Sequence, residues 1–320
     1  MPDFDVVGIG LNATDTVLLV PHFPAYAGKA WVAEESVSPG GQIASALVAC
    51  ARLGLRVKYI GTVGDDERGH IQMESLRGST IDLEHVQVRQ GCANQSAYIV
   101  IDQGTGERTV FWRRDDGLRL EPEEIDAAQI ARGRLLLIDG HDTAAVARAA
   151  EIARAHEIPV VLDVDTMYPG LEAVLACTDY LVASSEFPGA FTGLRDPFQA
   201  LEAMQARFGM KVAAMTLGAQ GALALAESRF VYSPAFVVDC VDTTGAGDVF
   251  HGAFCYAVLQ AMTLAEALEF SNALAALNCT AMGARGGIRD AAEARVLMAR
   301  GGRRIHPEIA ARAGQPALKN

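Results

Sequence analysis

VDTTGAGDVFHGAF (241–254) places three small residues where a loop enters a helix. These residues, Gly245, Ala246 and Gly247, allow unusual backbone angles and let a ligand approach the main-chain amides closely. The start of a helix leaves free N–H groups and a partial positive charge, which suit a phosphate or a developing phosphoryl charge. Asp248 follows in the first helical turn, where the dipole favours the carboxylate, so the segment predicts an anion hole beside a general base. An ordinary glycine-rich turn with a carboxylate at the helix start also fits these residues.

Strands and helices alternate on both sides of this segment. Upstream, GGQIASALVACARLG (40–54) has small and apolar residues at helical spacing, and VKYIGTVG (57–64) is typical of a buried strand. From residue 134 onward, helical segments separate four apolar strands, RLLLIDG, IPVVLDVD, DYLVAS and KVAAMTLG. This alternation predicts an α/β fold, a three-layer αβα sandwich with a mostly parallel, doubly wound sheet.

A small second sheet is expected from two segments of alternating pattern. SAYIVID (96–102) and RTVFWRR (108–114) are joined by QGTG, which is typical of a hairpin. Alternation indicates a sheet with one solvated face. That arrangement suits a β-sheet lid better than a central parallel strand.

The organisation expected for the 320 residues is one large domain followed by a short tail. The domain spans residues 1–300, with lid segments at about 12–38 and 92–116. The tail, 301–320, is basic and rich in Gly, Ala and Pro, and we expect it to be loosely attached. Hydrophobic residues make up 50% of the chain, which is enough to build a full core.

Charge and composition exclude several classes of protein. With a net charge of −12 and no basic run, the chain lacks the basic face that a nucleic-acid partner requires. No apolar stretch reaches the ~20 residues of a membrane span. The N-terminus is acidic where a signal peptide is basic. The six cysteines are scattered, without zinc spacing, so we expect a soluble, cytoplasmic protein with free thiols.

DTTGAGD (242–248) resembles the second signature of the ribokinase-like (PfkB) carbohydrate kinase family. GGQIASALVACARLGLRVKYIGTVGDDERG (40–69) is similar to the first signature, and the two lie in the expected order, about 200 residues apart. The tail and the lid segments carry little of the resemblance. It implies ATP as phosphoryl donor, Mg²⁺ with the phosphates and, often, a monovalent cation such as K⁺ beside the anion hole. By position, it makes Asp248 the catalytic base and assigns the anion hole to the amides of Gly245, Ala246 and Gly247.

Further site residues are implied by the same resemblance. Asn12 and Asp15 stand where the family holds substrate hydroxyls, and Gly40 and Gly41 match a glycine pair whose backbone approaches the sugar. The family usually has asparagine where Ser45 stands, so this substrate-site position has lost a bidentate amide. The nucleotide would lie near a strand-to-turn segment and a later helix position: Thr216, Gly218, Gly221 and Asn272.

The resemblance also points to metal-binding residues. Asp242, Thr244 and the GARGG run (283–287) match the region that holds potassium in related enzymes. At 183–186 the chain has ASSE where members often have NxxE, so Glu186 alone would supply a carboxylate to Mg²⁺ through water. A surface-exposed glutamate fits this position equally well. In kinases, Mg²⁺ is coordinated largely by phosphate oxygens and water, so the loss of the NxxE pattern is compatible with activity.

Polar side chains at the ends of predicted strands are further candidates. Ligands of open α/β sheets bind outside the carboxyl ends of the strands. Contacts to substrate or to metal-bound water are therefore expected from Asp139, His141, Asp163 and Asp165. Arg113 and Arg114 could reach from the lid to an acidic substrate, although exposure to solvent is the simpler expectation for both.

The sequence therefore predicts an ATP-dependent kinase that phosphorylates a hydroxyl of a sugar or sugar-like substrate. A non-catalytic sugar sensor on the same fold is an alternative, although the intact GAGD would give such a sensor a base that it does not need. A dinucleotide-binding oxidoreductase is another, since GIGLNA (8–13) is a GxGxxA run, but TDTVLLV (14–20) follows as a strand where that motif needs a helix. Apolar residues of the lid (Tyr98, Val100, Val110 and Trp112) need a cover, which predicts a homodimer through the lid.

Overall fold

Within residues 2–105 and 108–314, which the computed structural model describes, the chain forms fifteen strands and eleven α-helices. The strands are β1 (Val6–Ile9), β2 (Ala13–Val20), β3 (Glu34–Gly40), β4 (Val57–Gly64), β5 (Asp82–Arg89), β6 (Ser96–Asp102), β7 (Arg108–Arg113), β8 (Leu136–Asp139), β9 (Val160–Val164), β10 (Tyr180–Ala183), β11 (Val212–Thr216), β12 (Ala222–Ala226), β13 (Arg229–Ser233), β14 (Ala235–Phe236) and β15 (Arg303–Arg304). The helices are α1 (Gln42–Arg52), α2 (Glu67–Arg77), α3 (Ala127–Ile130), α4 (Thr143–Ala155), α5 (Leu171–Leu175), α6 (Phe187–Thr192), α7 (Pro197–Phe208), α8 (Ala246–Leu259), α9 (Leu264–Asn278), α10 (Ala291–Arg300) and α11 (Pro307–Ala313).

The main sheet has nine strands in the order β13-β12-β11-β10-β9-β8-β1-β4-β5. Neighbouring strands from β11 to β5 are parallel, whereas β12 and β13 run antiparallel at one edge. The chain starts at β1, adds β4 and β5 on one side, and then returns to build the other side from β8. This is the predicted doubly wound sheet. The reversal of strand order beside β1 is the point where open α/β sheets bind their ligands.

Helices cover both faces of the main sheet, which confirms the three-layer prediction. On one face, α4, α5 and α7 bury apolar side chains that include Val146 and Leu201. On the other face, α1, α8 and α9 do the same with side chains that include Leu47 and Phe254. Central strands are buried on both sides, which explains their nearly continuous apolar sequences. Among the described residues, no helix is both long enough and apolar enough to cross a membrane.

The lid is a separate four-stranded sheet in the order β3-β2-β6-β7. Strand β2 pairs antiparallel with β3 and parallel with β6, and β6 and β7 form the predicted antiparallel pair. The inner face of the lid packs on the rest of the chain, since Val17 and Ile99 form an apolar cluster against Met282. Arg108 in β7 donates a hydrogen bond to Thr243 Oγ1. The lid therefore lies over the loop that leads into α8.

The register of the lid divides its aromatic residues between two faces. Tyr98 and Phe111 pair across the outer face and are 47% and 56% exposed. Val37, two strands away, adds an exposed aliphatic side chain to the same face. Trp112 instead pairs with Ala97 and belongs to the inner face. The apolar side chains that need a cover are therefore not a single patch. On the outer face, Arg68 of α2 stacks on the Tyr98 ring at 5.3 Å, while Phe111 and Val37 stay largely exposed.

The C-terminal segment is packed on the domain over residues 301–314, in contrast to the expected loose attachment. Arg303 in β15 stacks on the ring of Phe236 in β14, with 3.6 Å between the guanidinium carbon and the ring centroid. Further along, Ile309 in α11 is buried. The basic residues of the tail dock it on the domain, which composition alone could not show. The end of the predicted tail, 315–320, lies outside the described residues.

Arg303→Ala should lower the free energy of unfolding by about 1–2 kcal/mol, measured by urea denaturation. The substitution removes the stacking on Phe236 and an ion pair with Glu269 at 2.5 Å, in which the arginine side chain is 22% exposed. Arg304→Ala is the matched control, because the neighbouring arginine is exposed, and it should change stability by less than about 0.5 kcal/mol. Equal losses in the two variants would show that the stacked arginine does not dock the segment.

Candidate active site

The predicted anion hole lies at the N-terminus of α8. Gly245 is the N-cap residue, and its φ of 74° is in the left-handed region that favours glycine. Ala246, Gly247 and Asp248 form the first turn, where main-chain amides lack partners within the helix. The Ala246 amide donates to the Thr243 carbonyl at 3.3 Å. A bound anion would therefore rest mainly on the amides of Gly245 and Gly247.

The pKa of Asp248 is raised by its surroundings. Burial raises this pKa to about 8, and the carboxyls of Asp163 and Asp15 add to the increase, while His251 and Arg285 oppose it. The expectation that the helix dipole favours the ionised form is thus overridden by burial and by like charges. A carboxylate with a high pKa holds a proton more firmly than an ordinary aspartate, which suits a base that must take a proton from an alcohol.

Asp15 and the glycine pair form the other side of the site. Asp15 lies near the start of β2, and burial raises its pKa to about 6. A Cβ on Gly40 would overlap the Asp15 carboxylate, and a Cβ on Gly41 would overlap the backbone of Asn12. Asn12 donates from Nδ2 to the Thr62 carbonyl at 2.7 Å, whereas its Oδ1 is buried without a partner among the described residues. The Asp15 carboxylate and this amide oxygen are acceptors available to hydroxyl groups.

Arg285 is a functional candidate that no sequence pattern singled out. It follows α9 and is half-buried, and desolvation lowers its pKa to about 10, while Asp248 and Asp15 favour the charged form. Its hydrogen bonds, at 2.7–3.1 Å, reach Gly40 O, Ser45 Oγ, Ser75 Oγ and Gln72 Oε1. Ser45, where the family usually has asparagine, is thus a partner of this arginine. The one sequence feature that could have pointed to Arg285 is its charge within the small-residue run GARGG (283–287).

The strand-end acids lie at the carboxyl edge of the main sheet, next to α8. Asp163 at the end of β9 is buried, and burial together with the nearby acids raises its pKa well above the ordinary value. His251 lies 3.3 Å from the Asp163 carboxylate and contacts the Gly247 carbonyl at 2.6 Å. Burial lowers the pKa of His251, which favours the neutral ring. Asp165, two residues beyond Asp163, is exposed at the same edge.

Two other candidates, one at a strand end and one in the lid, have structural partners. Asp139 at the end of β8 accepts hydrogen bonds from the amides of Leu11 and His141 at 2.6 and 2.9 Å. It therefore fixes the chain just before Asn12 rather than facing solvent. Arg114 is not solvated either, because it pairs with Asp142 at 2.5 Å and is 17% exposed. Its neighbour Arg113 is exposed, as expected.

The residues predicted to bind the nucleotide lie together at one end of the sheet. Thr216 ends β11, Gly218 begins the following turn, and Gly221 lies against the Ser233 carbonyl. Asn272 in α9 donates to the same carbonyl at 2.9 Å. The Asn272 amide therefore fixes this turn. In a nucleotide site, Asn272 would shape the wall of the pocket by holding the turn in place.

The predicted metal residues fall in two places. Glu186 is exposed at the N-cap of α6, and Asp165 is exposed on a neighbouring strand end. Such open carboxylates fit Mg²⁺ that keeps most of its water. Asp242, by contrast, is buried, and its two carboxylate oxygens accept from the amides of Thr244 and Gly283 at 2.8 and 2.9 Å. The Asp242 carboxylate is therefore already bonded to protein donors.

Comparison with known proteins places this site in a family. The family model of the pfkB family carbohydrate kinases matches residues 3–291, nearly the whole chain. The chain belongs to the PfkB family. It is an enzyme of the carbohydrate kinase class, and the two signatures quoted above are those of its family.

Relatives and a solved structure agree with membership of the PfkB family. The chain is 28% identical to ribokinase of Bacillus subtilis (strain 168), over 78% of this chain and 84% of the relative. It is 31% identical to the ATP-dependent ribose-1-phosphate kinase of Halopiger xanaduensis, over 88% of this chain and 93% of the relative. A structure of Arabidopsis thaliana ribokinase complexed with ribose and ATP has the same fold, with a TM-score of 0.77 at 21% identity, over 92% of this chain and 98% of that chain.

The logarithm of kcat/KM for this PfkB kinase should rise with pH up to about 8 and then level off. A general base works only when ionised, and below its pKa the ionised fraction falls tenfold per pH unit, so the rising limb should follow the pKa of about 8 of Asp248. The residual activity of Asp248→Asn is the control and should lack this limb. A limb centred near pH 4 would show that the base has an ordinary carboxyl pKa.

Proposed function

We propose that the protein transfers the γ-phosphoryl group of ATP to a hydroxyl of a sugar or sugar-like substrate. The observation that carries the proposal is that Arg285, which donates to the carbonyl of Gly40 beside the Asp15 carboxylate, also interacts electrostatically with Asp248. It brings a candidate base at the start of α8 together with an acceptor for hydroxyl groups and with a half-buried cation. The ATP-dependent and ribose-directed names of the relatives support the same donor and a pentose-sized acceptor.

In the proposed reaction, Asp15 and Asn12 Oδ1 accept hydrogen bonds from substrate hydroxyls and so orient the sugar. The attacking hydroxyl gives its proton to Asp248 as its oxygen bonds to the γ-phosphorus and the bond to ADP breaks. The amides of Gly245 and Gly247 hold the charge on the transferring group. The products are a phosphate ester and ADP, and the proton remains on Asp248, whose raised pKa favours that outcome.

ATP fits along the edge from the β11–β12 turn to the N-terminus of α8. Thr216 and Gly218 would face the nucleotide, and the phosphates would reach the anion hole. Mg²⁺ would be held by phosphate oxygens and water, with Asp165 and Glu186 as outer carboxylates. In that position the ion neutralises charge on the phosphates, while the orientation of the sugar depends on the chain's own residues.

The two alternative functions are less well supported. GIGLNA (8–13) leads directly into β2, so the helix that a dinucleotide-binding motif requires is replaced by a strand. A non-catalytic sensor would bind sugar without needing a carboxyl of raised pKa at its anion hole. Phosphoryl transfer uses both the Asp248 carboxyl and the adjacent amides, and we therefore favour the kinase.

A coupled ADP-release screen with pentoses, hexoses, sugar phosphates and nucleosides tests the function, and Asp248→Asn tests the base. The variant should fold and bind ATP like wild type, with kcat lowered about 10²–10⁴-fold on the best substrate, because the attacking hydroxyl has lost its proton acceptor. Asp239→Asn, an exposed acid in the same loop, is the control and should keep its full rate. Turnover of Asp248→Asn at half the wild-type rate would refute the assignment.

We further propose that the outer face of the lid joins two copies of the chain as a homodimer. Tyr98, Phe111 and Val37 are exposed together on that face. The face lies on a β-sheet that is already covered on its inner side, so a second copy can bury it through the same surface in a two-fold pair. The exposed area is modest, so we expect dissociation on dilution.

Sedimentation at several concentrations should show a species of twice the 33.9 kDa chain mass at micromolar concentration. Phe111→Glu should shift it to the monomer, because a charge on the outer face opposes burial. Trp112→Glu is the matched control, since the next residue lies on the inner face, and its mass should be that of wild type. A wild-type monomer at all concentrations, with and without sugar and ATP, would rule out the dimer.

A further inference from the structure

Two loops meet beside the anion hole where the PfkB resemblance implies a K⁺ site. One is the loop 242–245, which leads into α8, and the other is 283–287, which follows α9. They are in close contact, since a Cβ on Gly245 would overlap the Ala284 carbonyl. A K⁺ site requires several oxygens that replace the hydration shell of the ion, commonly main-chain carbonyls. The fit of these loops to K⁺ therefore depends on what their oxygens already contact.

Asn278 engages the main-chain oxygens of both loops. It is the last residue of α9, and its side chain is fully buried. Its Nδ2 donates to the Thr244 carbonyl at 3.2 Å and to the Ala284 carbonyl at 3.1 Å, so one nitrogen bridges the two loops. Its Oδ1 accepts from the Gly287 amide at 3.2 Å. The carboxamide thus uses both of its N–H bonds and its oxygen within this junction.

Asn278 Nδ2 lies where a cation bound by both loops would have to lie. An ion bound by the Thr244 and Ala284 carbonyls must lie between their oxygens, where Nδ2 now lies with its positively polarised hydrogens. The Asp242 carboxylate is also engaged by two backbone amides. Thr244 Oγ1 is a buried oxygen without a partner among the described residues, and one hydroxyl cannot replace a hydration shell. The residues present do not fit a K⁺ ion.

Loop 283–287 also carries its own positive charge. Arg285 is half-buried there, donates to the Gly40 carbonyl at 2.7 Å, and interacts electrostatically with Asp248 and Asp15. A bound monovalent cation would add positive potential near the base, and the guanidinium already supplies it from within the chain. The mechanical role of an ion, bridging the loops, and its electrostatic role are thus both filled by side chains.

We propose that the Asn278 carboxamide takes the place of a monovalent cation between loops 242–245 and 283–287, so that phosphoryl transfer by this chain does not depend on K⁺. The activity part of this proposal rests on the proposed kinase function. The structural part, that K⁺ does not bind at or stabilise this junction, does not rest on it.

Wild type is first compared in potassium chloride and in tetramethylammonium chloride at equal ionic strength, in buffer free of other alkali or ammonium ions. The expected result is a melting temperature that does not change with K⁺ concentration and an ADP-release rate that changes less than about twofold. A tenfold activation by K⁺, or a melting temperature that rises with K⁺ and saturates, would overturn the proposal.

Asn278→Ala removes the bridge and leaves the carbonyls of Thr244 and Ala284 without their donor. Without K⁺, its melting temperature and its ADP-release rate should fall, the rate at least about tenfold, and added K⁺ should restore part of both because the ion can now enter. Asn94→Ala is the matched control, since Asn94 is another buried asparagine, located far from these loops in the chain. It should lose stability without any response to K⁺. Wild-type activity of Asn278→Ala without K⁺ would contradict the proposal.

Asn278→Asp covers the case in which the alanine variant does not fold. A carboxylate of the same shape repels the two carbonyls but provides a ligand for a cation, so its melting temperature should rise with K⁺ where that of wild type stays constant. No K⁺ response of this variant would overturn the proposal. If no sugar or nucleoside supports ADP release, the kinase function fails, while the melting temperatures still decide whether K⁺ binds.

Discussion

The candidate substrate site depends on one half-buried cation, the guanidinium of Arg285. Buried carboxyls are costly unless they are neutralised or paired, and Asp15 and Asp248 both titrate above the ordinary range for this reason. Arg285 lowers the pKa of each acid and shares its hydrogen bonds among a glycine carbonyl, two serines and a glutamine. The same group therefore limits the cost of burying two acids and fixes the backbone against which a sugar would lie.

The doubly wound topology explains how such distant residues come together. The chain leaves β1 towards Asn12, leaves β8 at Asp139 and leaves β9 at Asp163, and these three strands are neighbours in the sheet. Parallel strands end at one edge, and the N-terminus of α8 lies next to that edge, where His251 contacts Asp163. The anion hole is thereby set beside the strand ends, where the topology predicts a ligand.

Much of the fold was predictable because its determinants are local. Buried parallel strands have continuous apolar sequences, and the helix expected over 40–54 is found at Gln42–Arg52. The site was less predictable because its electrostatics depend on contacts across the chain. Arg285 and Gly40 are 245 residues apart in sequence, and no periodicity or spacing links them. The packing of the tail over 301–314 was unpredictable for the same reason. Composition shows that the tail is basic, but it does not show the aromatic ring and the carboxylate that its arginine contacts.

The lid also carries part of the candidate site. Asp15 is part of β2, and Gly40 ends β3, so two of the predicted substrate contacts are carried by lid strands, whereas Asp248 belongs to a helix of the main domain. Several hydrogen bonds tie the lid strands to the main domain, and two of them lie beside the site: Arg285 donates to Gly40, and Arg108 of β7 donates to Thr243. The position of the lid therefore sets the separation between the group that would hold the sugar and the group that would take its proton. In the proposed reaction, the same strands would therefore both orient the sugar and set the distance from its attacking hydroxyl to the base.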